Sequence, residues 1–143
     1  MALIVPKEGE LEFLKRIFST TTLVEVKVGL FKDVMTLSES TIIEDFDTTE
    51  IDDDTSYEQI SVENSAWSYP AIEGGDNAVV TTDSIEFVLN PADTAGYDVY
   101  GYFVTQEIEG ETKLLWAEEF PSAFNIDGTS GGSINLNLKL ELN

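Results

Sequence analysis

YDVYGYFVTQEIEGETKLLWAEEF, running from Tyr97 to Phe120, has the pattern of a β-hairpin. Side chains alternate along a strand, so Tyr97, Val99, Gly101, Phe103 and Thr105 fall on one face and Asp98, Tyr100, Tyr102 and Val104 on the other. Both faces therefore carry large groups. The polar run Glu107 to Glu111 supplies the turn, and Thr112 to Trp116 returns as an apolar strand. Aromatic pairs facing each other across two strands stabilise a sheet locally. A glycine among them, Gly101, marks a bulge or the close approach of another backbone. Nothing in the stretch has the pattern of a reaction centre.

Outward toward the N-terminus, a period of two sets in at Leu23. Val24, Val26, Val28 and Leu30 share one side, and Glu25, Lys27 and Gly29 the other, which predicts a half-buried strand through Phe31. Before it, residues 7–18 (KEGELEFLKRIF) have the spacing of a short amphipathic helix. Leu11, Leu14 and Phe18 recur at threes and fours, with glutamates early and Lys15 and Arg16 late, the order that the helix dipole favours. MALIVP at 1–6 is an apolar tip too short for an element of its own. Two readings of it stay open: a strand tucked onto the chain's own sheet, or an arm that docks on a partner.

Residues 32–56 are polar and acidic, with eight acids between Glu39 and Asp54. Ile42, Ile43 and Phe46 are placed to anchor one helical turn there. Asp45, Asp47 and Asp52 to Asp54 offer oxygen ligands for a hard cation such as Ca²⁺. Their spacing lacks the glycine and terminal glutamate of an EF-hand loop, so a solvated acidic loop is the favoured reading. Tyr57 to Val62 reads as a second strand, and Trp67 and Tyr69, just before Pro70, as an aromatic cap on the core edge. Gly74 to Asn77 is a turn. Ala78 to Thr81 and Ile85 to Leu89 read as strands, the second with Ile85, Phe87 and Leu89 inward and Ser84, Glu86 and Val88 outward. Asn90-Pro91 ends it.

Beyond Pro121, Asp127 to Gly132 is glycine-rich, but it leads into a strand and lacks the lysine of a P-loop, so it reads as a turn. From Ser133 to Asn143, Ile134, Leu136, Leu138, Leu140 and Leu142 alternate with polar residues, which predicts one strand with one buried face.

At 143 residues the chain has the size of one domain with a single core. It has no cysteine and no histidine, which removes disulfides, thiolate sites, the commonest general base and every Ser-His or Cys-His arrangement. The formal net charge of −21, from 28 acids and 7 bases, disfavours nucleic acid and anionic membranes as partners. Five of those seven bases lie within the first 32 residues, against four acids there. The acidity belongs to the body. No signal peptide or membrane-spanning window is visible, which predicts a soluble protein. Glu118-Glu119, beside Trp116 and Phe120, is the best carboxylate pair. Neighbours on a strand face opposite ways, so the two do not flank one bond, and no residue is assigned a catalytic, cofactor-binding or metal-binding role.

Several segments, taken together, resemble a group of small structural proteins of tailed bacteriophages. They are Val26 to Phe31, the acidic loop, Tyr57 with Trp67, Tyr100 to Thr105 (YGYFVT), Leu114 to Glu118 (LLWAE) and the final alternating strand. The likeness covers most of the chain from Leu23 onward. It departs at Ser56, where a glycine is expected before the tyrosine. It implies a virion component, assembled in the host cytoplasm, and brings no catalytic residues. The expectation is a mainly-β chain: an antiparallel β-sandwich, with a jelly roll as one form of it, over residues 23–143, preceded by an arm and short helix over 1–22. The expected role is a capsid decoration (cement) protein that binds the major capsid protein or other virion subunits and further copies of itself. The expected contact residues are Ala2, Leu3, Ile4, Val5, Leu11, Leu14 and Phe18. The alternatives are a tail, neck or fibre component, and a glycan-binding module that stacks Trp67, Tyr69 or Tyr102 on sugar.

Overall fold

In the computed structural model, residues 4–6, 8–9, 26–63, 66–68 and 78–142 are described, for 67–68, 78–80 and 140–142 the backbone only. The chain is mainly β, and all its strand pairs are antiparallel. Among the described residues nine strands occur: β1 (Val26–Phe31), β2 (Ile60–Val62), β3 (Trp67–Ser68), β4 (Ala78–Thr82), β5 (Ile85–Leu89), β6 (Tyr97–Ile108), β7 (Glu111–Ile126), β8 (Gly132–Leu136) and β9 (Lys139–Leu142). One 3₁₀ turn, η1 (Ile43–Phe46), lies in the acidic loop where Ile43 and Phe46 predict it. Of the helix expected over 7–18, only Glu8 and Gly9 are described; the rest, with Leu11, Leu14 and Phe18, lies outside the described residues.

β6 and β7 form the expected hairpin, longer on its return than the apolar run suggests. Glu109 (φ 53°) and Gly110 (φ 81°) make its tight turn, the left-handed pair that matches the twist of two strands. The hairpin joins β1 and β2 in a four-stranded sheet of order β2-β1-β6-β7. Two register breaks decide which side chains go where. Val104 pairs with Trp116 but Thr105 pairs with Leu114, so Leu115 is one residue too many and turns to the same side as Trp116. Val99 pairs with Phe124 and Gly101 with Glu119, so Phe120 to Ala123 bulge outward opposite Tyr100. Pro121 is tolerated inside β7 because it sits in that bulge. The bulge also corrects the expected facing: Val99 joins Tyr102 and Val104, not Phe103.

Each face of the sheet carries its own core. On one, Val26, Val28, Leu30, Val104, Leu115 and Trp116 pack with Phe87, Leu89, Ile134 and Leu136. On the other, Phe31, Phe103, Leu114 and Ala117 pack with Phe46 of η1. Glycines make room for the aromatics of this second face. A Cβ on Gly29 would lie 2.3 Å from the Phe103 ring, and one on Gly101 would lie 2.4 Å from Phe31 and 2.2 Å from the Glu118 carbonyl oxygen. Phe46 then stacks on Phe103, with ring centroids 4.4 Å apart.

The strand expected over 133–143 is two strands. β8 pairs with β5, and β9 with β4. Between them the register slips by one, because Asp83 and Ser84 stand opposite the single residue Asn137. Thr82 ties this bend together. Its N–H donates to the Leu138 carbonyl (2.9 Å), and its hydroxyl accepts from the Leu138 N–H (2.9 Å). Periodicity does not show such a slip, because the apolar alternation runs through it unbroken.

The strand expected from Tyr57 begins only at Ile60. Tyr57 instead puts its ring beside Phe87 and its hydroxyl against β1. That hydroxyl accepts from the Leu30 N–H (2.9 Å) and donates to Glu50 Oε1 (2.7 Å), taking the place of a strand partner where β2 stops.

Candidate functional site

The expected contact residues divide by where they lie. Ala2, Leu3, Leu11, Leu14 and Phe18 are outside the described residues. Ile4 and Val5 rest on the chain's own sheet. The Ile4 N–H donates to the Ala117 carbonyl (3.2 Å) and the Ala117 N–H to the Ile4 carbonyl (3.0 Å), a pair of bonds on the outer edge of β7. Val5 packs against the larger core, and Pro6 is buried. Glu8 and Gly9 are helical rather than extended, and Glu8 forms an ion pair with Lys113 at 3.3 Å. Gly9 presses on the backbone of Leu115, whose carbonyl oxygen lies 1.9 Å from where a Cβ would stand. Pro6, with no N–H to give, limits the pairing to a single bridge. The receiving residues, Lys113, Leu115 and Ala117, carry no sequence signal for this role beyond the small side chain of Ala117.

The acidic loop separates into two populations. Glu39, Glu44, Asp45, Asp47 and Asp52 are exposed, whereas Glu50, Asp53 and Asp54 are half-buried, and each of these three has a partner. Glu50 accepts from Tyr57 and from the Gln59 amide (2.9 Å). Lys32 bridges Asp52 (2.6 Å) and Asp53 (3.1 Å). Asp54 accepts from the Ser56 and Tyr57 N–H groups (2.7 and 2.8 Å) and from the Tyr97 hydroxyl (2.6 Å). Burial pushes the Asp54 carboxyl up, and these bonds outweigh it, leaving the group below the usual carboxylate range. The hydrogen bond from Lys32 lowers Asp52 and raises Lys32 in return. Among the described residues, no three acids converge as a metal would need. The half-buried acids here serve as hydrogen-bond acceptors that hold the loop to the sheet.

Of the carboxylate pair, Glu118 accepts from the Tyr102 hydroxyl (2.8 Å), and it shares a face with Tyr102. Tyr102 is buried at 5% exposure, so it packs in the core and presents no face for stacking on sugar. Burial first, then the nearby Glu118 charge, raises its phenol above the usual tyrosine value. Tyr69 lies outside the described residues, as does the side chain of Trp67. A feature that the sequence does not signal is a cavity of about 380 Å³ between β2 and the β4–β5 bend. Glu63, Asp83, Glu86, Ser61 and Ser84 line it over Ile85. It is concave, and its charged lining is Glu63, Asp83 and Glu86. No helix among the described residues is long and apolar enough to cross a membrane.

Comparison with protein-family models, with curated proteins and with solved structures found no match to this chain.

Proposed function

We propose that this chain is a non-enzymatic structural protein of a virion, a capsid decoration protein that sits on the outer shell and bridges its subunits. The observation that carries the reading is the attachment of residues 4–9. Among those described, Ile4 makes one bridge to Ala117 on the outer edge of β7 and helical Glu8 makes one ion pair with Lys113, on a sheet buried on both faces. A stiff body with a lightly held arm suits a protein that grips a neighbour. We read the four-stranded sheet and the ribbon of β5 and β8, which share the larger core, as the two layers of an antiparallel sandwich. The acidic exterior supports the reading by keeping free copies apart before assembly. The resemblance of the YGYFVT and LLWAE segments to phage structural proteins points the same way.

Quantitative mass spectrometry of purified particles tests the assignment. A copy number near that of the major shell subunit supports decoration. A number far below it means a tail, neck or fibre component, and absence from particles ends the virion reading. A chain lacking residues 1–18 is expected to keep its β-rich far-UV spectrum and lose shell binding.

A further inference from the structure

We propose that the cavity between β2 and the β4–β5 bend docks an extended basic segment of a partner protein. The segment pairs with the outer edge of β2 and sets a lysine or arginine among Glu63, Asp83 and Glu86.

The register leaves this edge open. The Leu30 N–H donates to the Tyr57 hydroxyl, and the Leu30 carbonyl accepts from the Ile51 N–H, so Leu30 turns its backbone groups away from β6. Every second residue of a strand bonds to the same neighbour. Val28 and Val26 therefore turn the same way as Leu30, toward Ile60 and Val62 of β2. Ser61, between those two, directs its own N–H and carbonyl outward. It lines the cavity, and among the described residues β1 is the one strand that pairs with β2. A strand edge with outward donors and acceptors is a template for one more strand. Extended segments bind in this way, main-chain bonds giving affinity and side-chain pockets giving selectivity.

The opposite wall is held in place. The Ala66 N–H donates to the Glu63 carbonyl (3.0 Å), and the Asp83 N–H donates to the Ala66 carbonyl (3.2 Å). Ala66 thereby ties the end of β2 to the β4–β5 bend. The cleft between them has a volume of about 380 Å³, within the range of small-ligand pockets. Glu63, Asp83 and Glu86 are exposed along it, and Ile85 is buried beneath them.

Charge selects the occupant. Carboxylates around one cleft attract a cationic side chain more strongly than they would on an open surface, because concave walls focus the field. The same acids repel a second copy of this chain, whose net charge is −21, and so reserve the edge for a basic partner. This surface lies apart from residues 4–9, and the proposal does not depend on the virion reading.

The probe is a short blocked peptide of alternating valine and lysine, titrated into the full chain while backbone amide resonances are followed by NMR. The expected result is saturable shifts at Ser61, Glu63 and Glu86 that weaken in high salt. The same peptide with glutamate in place of lysine is expected to produce none. Ser61→Pro removes an N–H that β1 does not use, so the chain is expected to keep its melting temperature and to bind the lysine peptide about tenfold more weakly. The exposed double variant Asp83→Asn/Glu86→Gln gives a second reading, with a loss of about fivefold, should a proline at position 61 disturb β2. Absence of shifts at Ser61, equal binding of the lysine and glutamate peptides, or undiminished binding by the double variant overturns the proposal. Equal shifts with lysine amide alone, unchanged by Ser61→Pro, overturn the strand pairing and reduce the cleft to a cation-attracting patch.

Discussion

The two faces of the four-stranded sheet are buried by different means. One is covered by the ribbon of β5 and β8, regular strands whose inward residues Ile85, Phe87, Leu89, Ile134 and Leu136 come every second position. The other is covered by a loop that contributes one fully buried ring, Phe46, seated on Phe103 and beside Phe31. The first cover is held by a ladder. The second is held by one aromatic plug, with Met35, Leu37 and Ile43 packed beside it, and by a few charged or polar ties: Lys32 to Asp52 and Asp53, and Tyr57 and Gln59 to Glu50. A segment rich in acids can thus close a core, provided that one apolar residue points inward and its half-buried carboxylates find donors.

Substitutions break this comparison in graded fashion. Phe103→Ala removes the ring on which Phe46 rests and which fills the space over Gly29, so a loss of about 3–5 kcal/mol is expected by chemical denaturation. Phe46→Ala removes the plug alone. Its cost is expected near the lower end of that range, about 3 kcal/mol, because an exposed loop collapses into the space more readily than a strand does. Hydrogen exchange sharpens the point: protection is expected to fall across residues 32–52 in Phe46→Ala while β5 and β8 keep theirs. Equal loss on both faces would show that the two cores are one cooperative unit. Gly101→Ala drives a methyl group into the Phe31 ring and the Glu118 carbonyl, with an expected cost of roughly 1–3 kcal/mol.

Tyr57→Phe leaves the Leu30 N–H and Glu50 short of a partner and is expected to cost about 1–2 kcal/mol at neutral pH. It also sets a pH test. Burial, then the Glu50 charge, raises the Tyr57 phenol far above its ordinary value of 10.0, so the folded chain holds this proton more tightly than the unfolded chain. That stabilisation is whole below pH 10 and is lost as pH climbs beyond it. In alkaline titrations Tyr57→Phe is therefore expected to lose less stability than the parent between neutral pH and the strongly alkaline range. The smallest effect belongs to Lys32→Met, at most about 1 kcal/mol and smaller still in high salt, since the pair with exposed Asp52 is screened.

How far these features could be read beforehand depends on their range. The hairpin, the inward set of β5, the turn at 127–131 and the single turn holding Phe46 all follow from residues close in sequence. The glycine among aromatics, Gly101, correctly marks a bulge and a close backbone approach. Three other features depend on distant partners. Asn137 ends a strand only because Asp83 and Ser84 stand opposite it. Tyr57 leaves the ladder because its hydroxyl serves Leu30, 27 residues away. Ile4 lies on β7 because Ala117 offers an open edge.

By itself, the sequence determined the β class, most strand positions and the charge of the surface. Side-chain alternation, turn residues and composition are local and act wherever the chain goes. Tertiary structure alone decided the register. Two bulges in β7 placed Leu115 beside Trp116 and moved Val99 to the other face, and the slip at Asn137 divided one alternating run between two partners. It also decided which acids are solvated and which are bound. A carboxylate's fate depends on the donors that reach it across space, and Tyr57, Tyr97 and Lys32 reach theirs only once the strands have paired.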